Sequence, residues 1–176
     1  PSVANFALDF NTKRNKIYFG IKNIKSLSGV SGDKVVSSIE AAEKELGKKI
    51  TKFSWVEMLI YLSTKISSTS FKALASIGFF RDFKDTISRN AALYEYEIFR
   101  VLTKGEVSWL TKNYESSKWK SLEQALVCLA PTRKNGGGTS KADRQQIVEN
   151  EIQLIQNPPY SLEDSPSWII EQEARF

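Results

Sequence analysis

The amino-acid sequence predicts a mainly α-helical fold with a short N-terminal β-hairpin. Apolar residues recur every three to four positions through most of the chain, and capping residues, Gly and Pro bound those stretches. Alternation of apolar and polar residues marks a region near the N-terminus instead. The chain has 176 residues, of which 41% are hydrophobic, so it can bury a core and does not have a disordered composition.

The predicted hairpin spans residues 6–21. A polar turn at residues 11–15, Asn-Thr-Lys-Arg-Asn, separates two stretches in which apolar residues alternate with small or polar ones. One face of this hairpin can therefore pack on helices. The alternating apolar residues are Phe6, Leu8, Phe10, Ile17, Phe19 and Ile21.

The rest of the chain is predicted to form eight helices. Ser54 and Glu57 match a capping box, which satisfies backbone amides at a helix start. Gly47, Gly78 and Gly105 are typical of the position that ends a helix. The predicted helices are 33–46, one from 54, 70–77, 82–105, 106–114, 121–130, 142–157 and one opened by Ser165 and Pro166.

Residues 132–141 separate two parts of opposite charge. This segment, Thr-Arg-Lys-Asn-Gly-Gly-Gly-Thr-Ser-Lys, has the composition of a flexible linker between a domain at 1–131 and a helical extension at 142–176. Residues 1–141 hold 23 Lys and Arg against 13 Asp and Glu, whereas residues 142–176 hold 2 against 7. The basic body indicates an anionic partner such as nucleic acid; the alternative is an ordinary solvated basic surface.

The residue types present exclude several kinds of chemistry. Without His, the chain has no His-based metal site, His general base or Ser-His-Asp triad. The single Cys128 excludes an intramolecular disulfide and fits a reducing cytosol. No apolar stretch of the sequence is long enough to span a membrane. The N-terminus has no signal-peptide pattern that would indicate secretion. Asp82 and Asp85 near a predicted helix start are typical dipole partners, so we expect no metal, cofactor or catalytic residue.

The most informative stretch is residues 27–35, Leu-Ser-Gly-Val-Ser-Gly-Asp-Lys-Val. Glycines let the backbone turn tightly, and the turn opens a helix whose free amides and positive dipole end suit a phosphate. The alternative is a plain helix-loop-helix turn in which Ser31 caps the helix and Asp33 stabilises its start. The candidate phosphate-binding residues are Lys22, Lys25, Gly29, Val30, Ser31, Gly32 and Lys34.

This stretch resembles the helix-hairpin-helix signature, which reads Leu, any residue, Gly, hydrophobic, Gly, three residues, Ala. Gly29 and Val30 match it, whereas Ser31 stands at the second glycine. Residues 16–25, Lys-Ile-Tyr-Phe-Gly-Ile-Lys-Asn-Ile-Lys, are similar to the K-I-x-F-G-L-x-A-I-K segment that precedes this hairpin in bacterial polymerase III alpha subunits. Residues 53–55 and 66–80 resemble the following blocks of that family, in the same order.

The resemblance to C-family polymerase III alpha subunits of bacteria or phages covers residues 5–85. It implies a non-catalytic fragment, because the catalytic carboxylates of the family lie upstream, in the palm. It also implies that the fragment grips duplex DNA through backbone phosphates, with Ser70 and Lys72 contributing from the second block. The implied partners are duplex DNA and the other domains of the parent polymerase, in the cytoplasm of a bacterial or phage-infected cell.

Of two other functions, the sequence argues against a DNA glycosylase and leaves a protein-protein interaction module open. DNA glycosylases of the helix-hairpin-helix class need a lysine or glutamine where this chain has Asp33, and Lys34 is one residue late, which rotates it by about 100°. A protein-protein interaction module within a replication complex would instead expose aromatic residues. Trp119, flanked by two lysines, is also a candidate to stack on a base. The aromatic candidates are Trp55, Phe79, Phe80, Trp109, Trp119 and Trp168. The alternative is that most of them belong to the core, or that Trp119 anchors an amphipathic loop.

Overall fold

A computed structural model describes residues 7–8, 17–18, 21, 24–27, 29–81, 87–133 and 139–175 of the chain. Eight α-helices dominate these residues, which confirms the predicted mainly α-helical class. None of the described helices is long and apolar enough to cross a membrane. The helices are α1 (Val30–Leu46), α2 (Trp55–Glu57), α3 (Ser68–Ser76), α4 (Arg89–Arg100), α5 (Lys104–Ser117), α6 (Leu122–Leu129), α7 (Thr139–Gln156) and α8 (Pro166–Arg175).

Two short strands precede the helices. Strand β1 (Ala7–Leu8) pairs antiparallel with β2 (Ile17–Tyr18), so that the first residue of β1 lies opposite the last residue of β2. Ile21 is buried in the core together with Leu27. The remainder of the hairpin predicted at 6–21 lies outside the described residues.

Local caps set helix ends where the sequence predicts them. In the capping box at the start of α2, the Ser54 hydroxyl accepts the Glu57 amide at 3.3 Å, and the Glu57 carboxylate accepts the Ser54 amide at 2.7 Å. Gly47 ends α1 in the left-handed conformation, with a φ of 63°, and its amide donates to the Glu43 carbonyl. These ends confirm the predictions made from the capping box and from Gly47.

Helix α1 begins three residues earlier than predicted. Its first residue is Val30, and Gly29 holds the capping position, so the interpretation of Ser31 as the cap is wrong. A capping serine needs a non-helical backbone, whereas Ser31 lies in the first turn of the helix. The chain passes from a 3₁₀ turn (Lys25–Leu27) into α1 through Gly29.

The predicted helix end at Gly105 is also wrong. Helix α4 ends at Arg100, and Gly105 is the second residue of α5. A second capping box sets this start, because the Thr103 hydroxyl accepts the Glu106 amide at 3.3 Å and the Glu106 carboxylate accepts the Thr103 amide at 2.7 Å. The first residues of the helix predicted at 82–105 lie outside the described residues as far as 86.

Aromatic side chains from α2, α3 and α4 build much of the core. The Phe71 ring stacks on Tyr96 with 4.2 Å between centroids and on Phe80 with 4.9 Å. Trp55 packs against Phe71 at 6.1 Å and against Phe80 at 5.6 Å. A π-helical turn (Met58–Leu62) continues α2 through this core, and all five of its side chains are buried. The cluster holds α3 against α4.

The C-terminal helices pack on the rest of the chain. Helix α7 begins at Thr139, inside the linker predicted at 132–141, and runs against α6. Val148 and Ile152 of α7 are buried in the same core cluster as the preceding helices. Helix α8 contacts α3. The helical extension predicted at 142–176 is therefore docked on the domain predicted at 1–131.

Candidate nucleic-acid interface

The candidate phosphate-binding turn is a sharp junction between the 3₁₀ turn and α1. Leu27 is fully buried, and its amide donates to the Ile24 carbonyl at 2.8 Å, which anchors the turn on the core. Gly29 has a φ of 62° and a ψ of −137°, a conformation open almost only to glycine. A Cβ placed on Gly29 would meet no atom within 4 Å. The backbone conformation, and not the available space, therefore requires glycine here.

The start of α1 faces solvent. Val30 is 85% exposed and Ser31 is exposed as well, whereas Gly32 is buried. The residue at the capping position, Gly29, has no side chain that could accept a first-turn amide. The positive end of the helix dipole therefore lies at the surface beside Val30 and Ser31, and helix starts of this kind can bind an anion.

Positive charge lies close to this helix start. Lys25 and Lys34 are both exposed, whereas Lys22 lies outside the described residues. Asp33 is also exposed, and its amide donates to the Gly29 carbonyl at 3.1 Å as the first α-helical hydrogen bond. The described members of the predicted site thus gather around the first turn of α1.

The second predicted element, α3, contacts the 3₁₀ turn before α1, but its two candidate residues are engaged elsewhere. Ser70 is 7% exposed, and its hydroxyl lies 2.8 Å from that of Ser67, which caps α3. Lys72 forms an ion pair with Glu97, which also receives Arg100 at 3.0 Å. The burial of Ser70 corrects the prediction of a direct DNA contact from its side chain, since the cap of α3 holds it inside.

Trp119 is not available to stack on a base. It is 5% exposed, its ring stacks on Trp109 with 6.0 Å between centroids, and it also packs against Tyr114. The prediction that Trp119 contacts a base is therefore wrong, because two neighbouring rings cover it. Trp55 and Phe80 are core residues as well. The large apolar side chains that are exposed in the described part of the chain are Val30, Val101, Val127, Leu154, Tyr160 and Ile170.

Two glutamates of capping boxes are buried and paired with cations. Lys48 donates to the two oxygens of Glu57 at 2.6 and 2.7 Å, and Arg144 donates to those of Glu106 at 2.7 and 3.1 Å. Burial alone would raise the pKa of each carboxyl, but the cations and the cap amides outweigh it and hold both pKa values below their usual range. The capping-box spacing predicts the caps, whereas the cationic partners are visible only in the fold.

Tyr114 joins the cluster around Glu57. Its hydroxyl lies 3.2 Å from the Ser54 hydroxyl, and burial raises the pKa of Tyr114 to about 12. The phenol therefore keeps its proton at neutral pH and serves as a buried hydrogen-bonding group between α5 and the start of α2. This cluster is a structural connection within the core.

The start of α4 binds a carboxylate from the C-terminal segment of the same chain. The Asp164 carboxylate accepts the amides of Arg89 and Asn90 at 2.9 and 3.0 Å. The buried Arg89 side chain donates to the Ser76 carbonyl at 3.1 Å and to Glu173 of α8 at 2.8 Å. The C-terminal segment thus neutralises the start of α4, while the start of α1 stays open to solvent.

No protein-family model, curated protein or solved structure matches the chain. Within the described ranges, no group of three or more His, Cys, Asp or Glu residues is placed to bind a metal ion. Asp82 and Asp85 lie outside those ranges. What the exposed start of α1 offers a ligand is electrostatic: backbone amides, a helix dipole and lysine ammonium groups.

Proposed function

We propose that this chain is a non-catalytic DNA-binding segment of a replicative DNA polymerase of the polymerase III alpha type. It grips duplex DNA through backbone phosphates, and it works together with the other domains of its parent polymerase in the cytoplasm of a bacterial or phage-infected cell. The observation that carries the proposal is the exposed start of α1 behind Gly29, which has no side chain to cap the helix.

A comparison with the other helix starts supports the proposal. Helices α2, α3, α4 and α5 each begin behind a Ser or Thr whose hydroxyl accepts a first-turn amide. Helix α1 begins behind Gly29 instead, with Val30 and Ser31 projecting into solvent. Glycine suits a place where the backbone must come close to another molecule, and amides left free are available to phosphate oxygens.

The proposed contact differs from a complete helix-hairpin-helix because the last described element before the turn is a 3₁₀ turn, Lys25–Leu27. Backbone amides contact phosphates and not base edges, so the binding would be independent of base sequence. Lys25 and Lys34 add charges that release counterions from DNA, so the affinity would fall as the salt concentration rises.

The test is binding to a mixed-sequence duplex at several salt concentrations, measured for the wild type and for a double variant, Gly29→Ala with Lys34→Gln. The double variant strains the turn and removes one ammonium group, so we expect weaker binding and a salt dependence reduced by roughly one phosphate contact. Alanine at position 29 fits without a steric clash, so the fold is expected to survive.

A matched control lies at the other end of the same helix. Gly47 also has a positive φ with open space around it, and Lys44 is exposed in the last turn of α1. Gly47→Ala with Lys44→Gln therefore makes the same two kinds of change away from the turn. Equal duplex binding by the two double variants would overturn the proposed contact at Gly29.

A second candidate function is a protein-protein interaction module within a replication complex. The observation that favours it is the exposure of apolar side chains on the C-terminal segment, where Tyr160 and Ile170 are 59% and 68% exposed. Association through apolar residues is insensitive to salt, whereas binding to phosphates weakens as the salt concentration rises. Binding to a replication protein that persists at high salt and is lost in Ile170→Ser would favour this candidate.

A further inference from the structure

A basic groove lies along α5, away from the turn at Gly29. We propose that this groove is a second contact for the sugar-phosphate backbone of DNA, an inference that rests on the proposed function. The groove is shallow and open to solvent, and it has a volume of about 630 Å³ between α5, the loop before it and the turn that follows the π-helical segment. Its lining residues are Thr64, Leu102, Lys104, Val107, Ser108, Thr111 and Lys112.

The capping box of α5 directs these residues outward. Glu106 turns into the core, where it caps the helix and receives Arg144. Lys104, Ser108 and Thr111, spaced four and three residues apart, therefore share the opposite face of the helix. Since the charge of Glu106 is buried and matched by Arg144, the nearest acidic residue in the first turn of α5 does not cancel the charge of the groove.

The two lysines of the groove keep their charge available to a ligand. Lys104 and Lys112 are exposed, and neither forms an ion pair with any residue that the structure describes. Acidic residues do lie in this region, since Glu45 and Glu115 both raise the pKa of Tyr61 after burial does. Both of these carboxylates are matched, Glu45 by Lys65 at 2.7 Å and Glu115 by Lys118.

The shape of the groove suits a sugar-phosphate chain better than a free anion. Leu102 and Val107 supply an apolar floor against which a deoxyribose can pack. Thr111 donates its hydroxyl proton to the Val107 carbonyl at 2.9 Å, so Ser108 and the two lysines are the donors left for phosphate oxygens. The lysines are eight residues apart, about 12 Å along the helix axis, so they can reach two separate phosphates of one DNA strand.

The groove and the turn at Gly29 are close enough to share one duplex. The Ser38 hydroxyl of α1 donates to the Lys65 carbonyl at 3.2 Å, which places the Thr64 wall of the groove beside the middle of α1. Ser38 lies eight residues from Val30, about 12 Å along the axis of α1. This separation is well within one helical turn of DNA, which spans about 34 Å.

The experiment measures binding of the full chain to a 20-base-pair mixed-sequence duplex as a function of salt. The groove variant is Lys104→Gln with Lys112→Gln, and its control, Lys44→Gln with Lys52→Gln, removes the same charge from exposed lysines outside the groove. Loss of two phosphate contacts makes the negative slope of log affinity against log salt less steep, by about 1.8. We expect this decrease for the groove variant and a much smaller one for the control.

The variant of the turn at Gly29, Gly29→Ala with Lys34→Gln, shows which of the two proposed DNA contacts exists. If it binds as the wild type does while the groove variant is weakened, the contact at Gly29 fails and the groove stands. If the groove variant and its control have the same slope of log affinity against log salt, the proposed groove contact is overturned, whatever the result for the variant of the turn at Gly29. A wild type without salt-dependent duplex binding overturns both. If the groove variant lost as much affinity for poly-glutamate of matched charge as for the duplex, the groove would be a general anion-binding surface, and the proposal would be overturned.

Discussion

The carboxylate of Glu106 receives the guanidinium of Arg144 across 38 residues of chain, with a shortest N–O distance of 2.7 Å. The same guanidinium donates to the Val101 carbonyl at 3.2 Å. One arginine of α7 thus connects the end of α4 to the start of α5. The connection joins the acidic C-terminal part to the basic body, and Glu106 itself is only 1% exposed.

Replacing Arg144 with methionine should destabilise the fold. The change keeps most of the side-chain volume but leaves a buried carboxylate without its cation, which is costly. We expect the free energy of unfolding, measured with urea at pH 7, to fall by about 3 kcal/mol. The control is Lys118→Met, which removes a surface partner of Glu115 and should cost under about 1 kcal/mol. Equal losses in the two variants would show that the buried pair contributes nothing specific.

The same pair predicts how stability depends on pH. Hydrogen bonds from Arg144 and the cap of Thr103 hold the pKa of Glu106 below its usual value of 4.5, against the effect of burial. A lowered folded-state pKa means that the stabilisation is present above about pH 4.5 and is lost as the pH falls through the folded pKa. The gap in Tm between the wild type and Arg144→Met should therefore be widest near pH 7 and narrow towards pH 3. A gap that is constant with pH would contradict this.

The contribution of Glu95 to stability is expected to depend on pH in the opposite direction to that of Glu106. Burial raises the pKa of Glu95, although a hydrogen bond from the Trp55 indole at 2.8 Å lowers it in part. With a raised folded-state pKa, stability is full at low pH and is lost as the pH rises through that pKa. Glu95→Gln keeps an acceptor for the indole and removes the charge, so its Tm should exceed that of the wild type at pH 7 and match it near pH 4.

A neighbouring carboxylate provides the control for Glu95. Glu97 lies two residues away on α4 and is paired at the surface with Lys72 and Arg100. Glu97→Gln should leave the Tm unchanged or lower it slightly at pH 7. If both glutamine variants raised the Tm equally, net charge and not burial of Glu95 would be the cause.

Gly78 and Gly47 separate backbone strain from steric contact. Both have a positive φ, of 77° and 63°, so alanine is strained by about 1–2 kcal/mol at either position. A Cβ at Gly78 would also lie 2.8 Å from Nε of the buried Arg89, whereas one at Gly47 would meet nothing within 4 Å. We expect Gly78→Ala to lower the free energy of unfolding by at least about 1 kcal/mol more than Gly47→Ala. Equal losses would mean that Arg89 moves away without cost.

The helix ends show how far sequence reasoning reaches. The capping box at Ser54 and the stop at Gly47 were predictable, because a helix end is satisfied by hydrogen bonds that reach at most a few residues. The prediction at Gly105 failed because two local signals competed there. The box formed by Thr103 and Glu106 satisfies two amides and begins α5, and this outweighs the tendency of glycine to end a helix.

Only part of the predicted DNA-binding site could be inferred from such local signals. The need for glycine at position 29 follows from its place between two elements, and the structure places it there with a positive φ. The burial of Ser70 and Trp119 could not be read from the sequence, since a serine in the first turn of a helix and a tryptophan between lysines occur both on surfaces and in cores. Contacts with Ser67 and Trp109 decided both cases.

Sequence alone was sufficient for the helical class and for the helix ends at Ser54 and Gly47, because each depends on neighbours within about four residues. Only the tertiary structure decided which charges are buried and which remain free. Arg144 matches Glu106 from 38 residues away, and Asp164 reaches α4 from 75 residues away, whereas Lys104 and Lys112 face solvent. Burial is a property of distant segments packed together, and no local pattern specifies which segments meet.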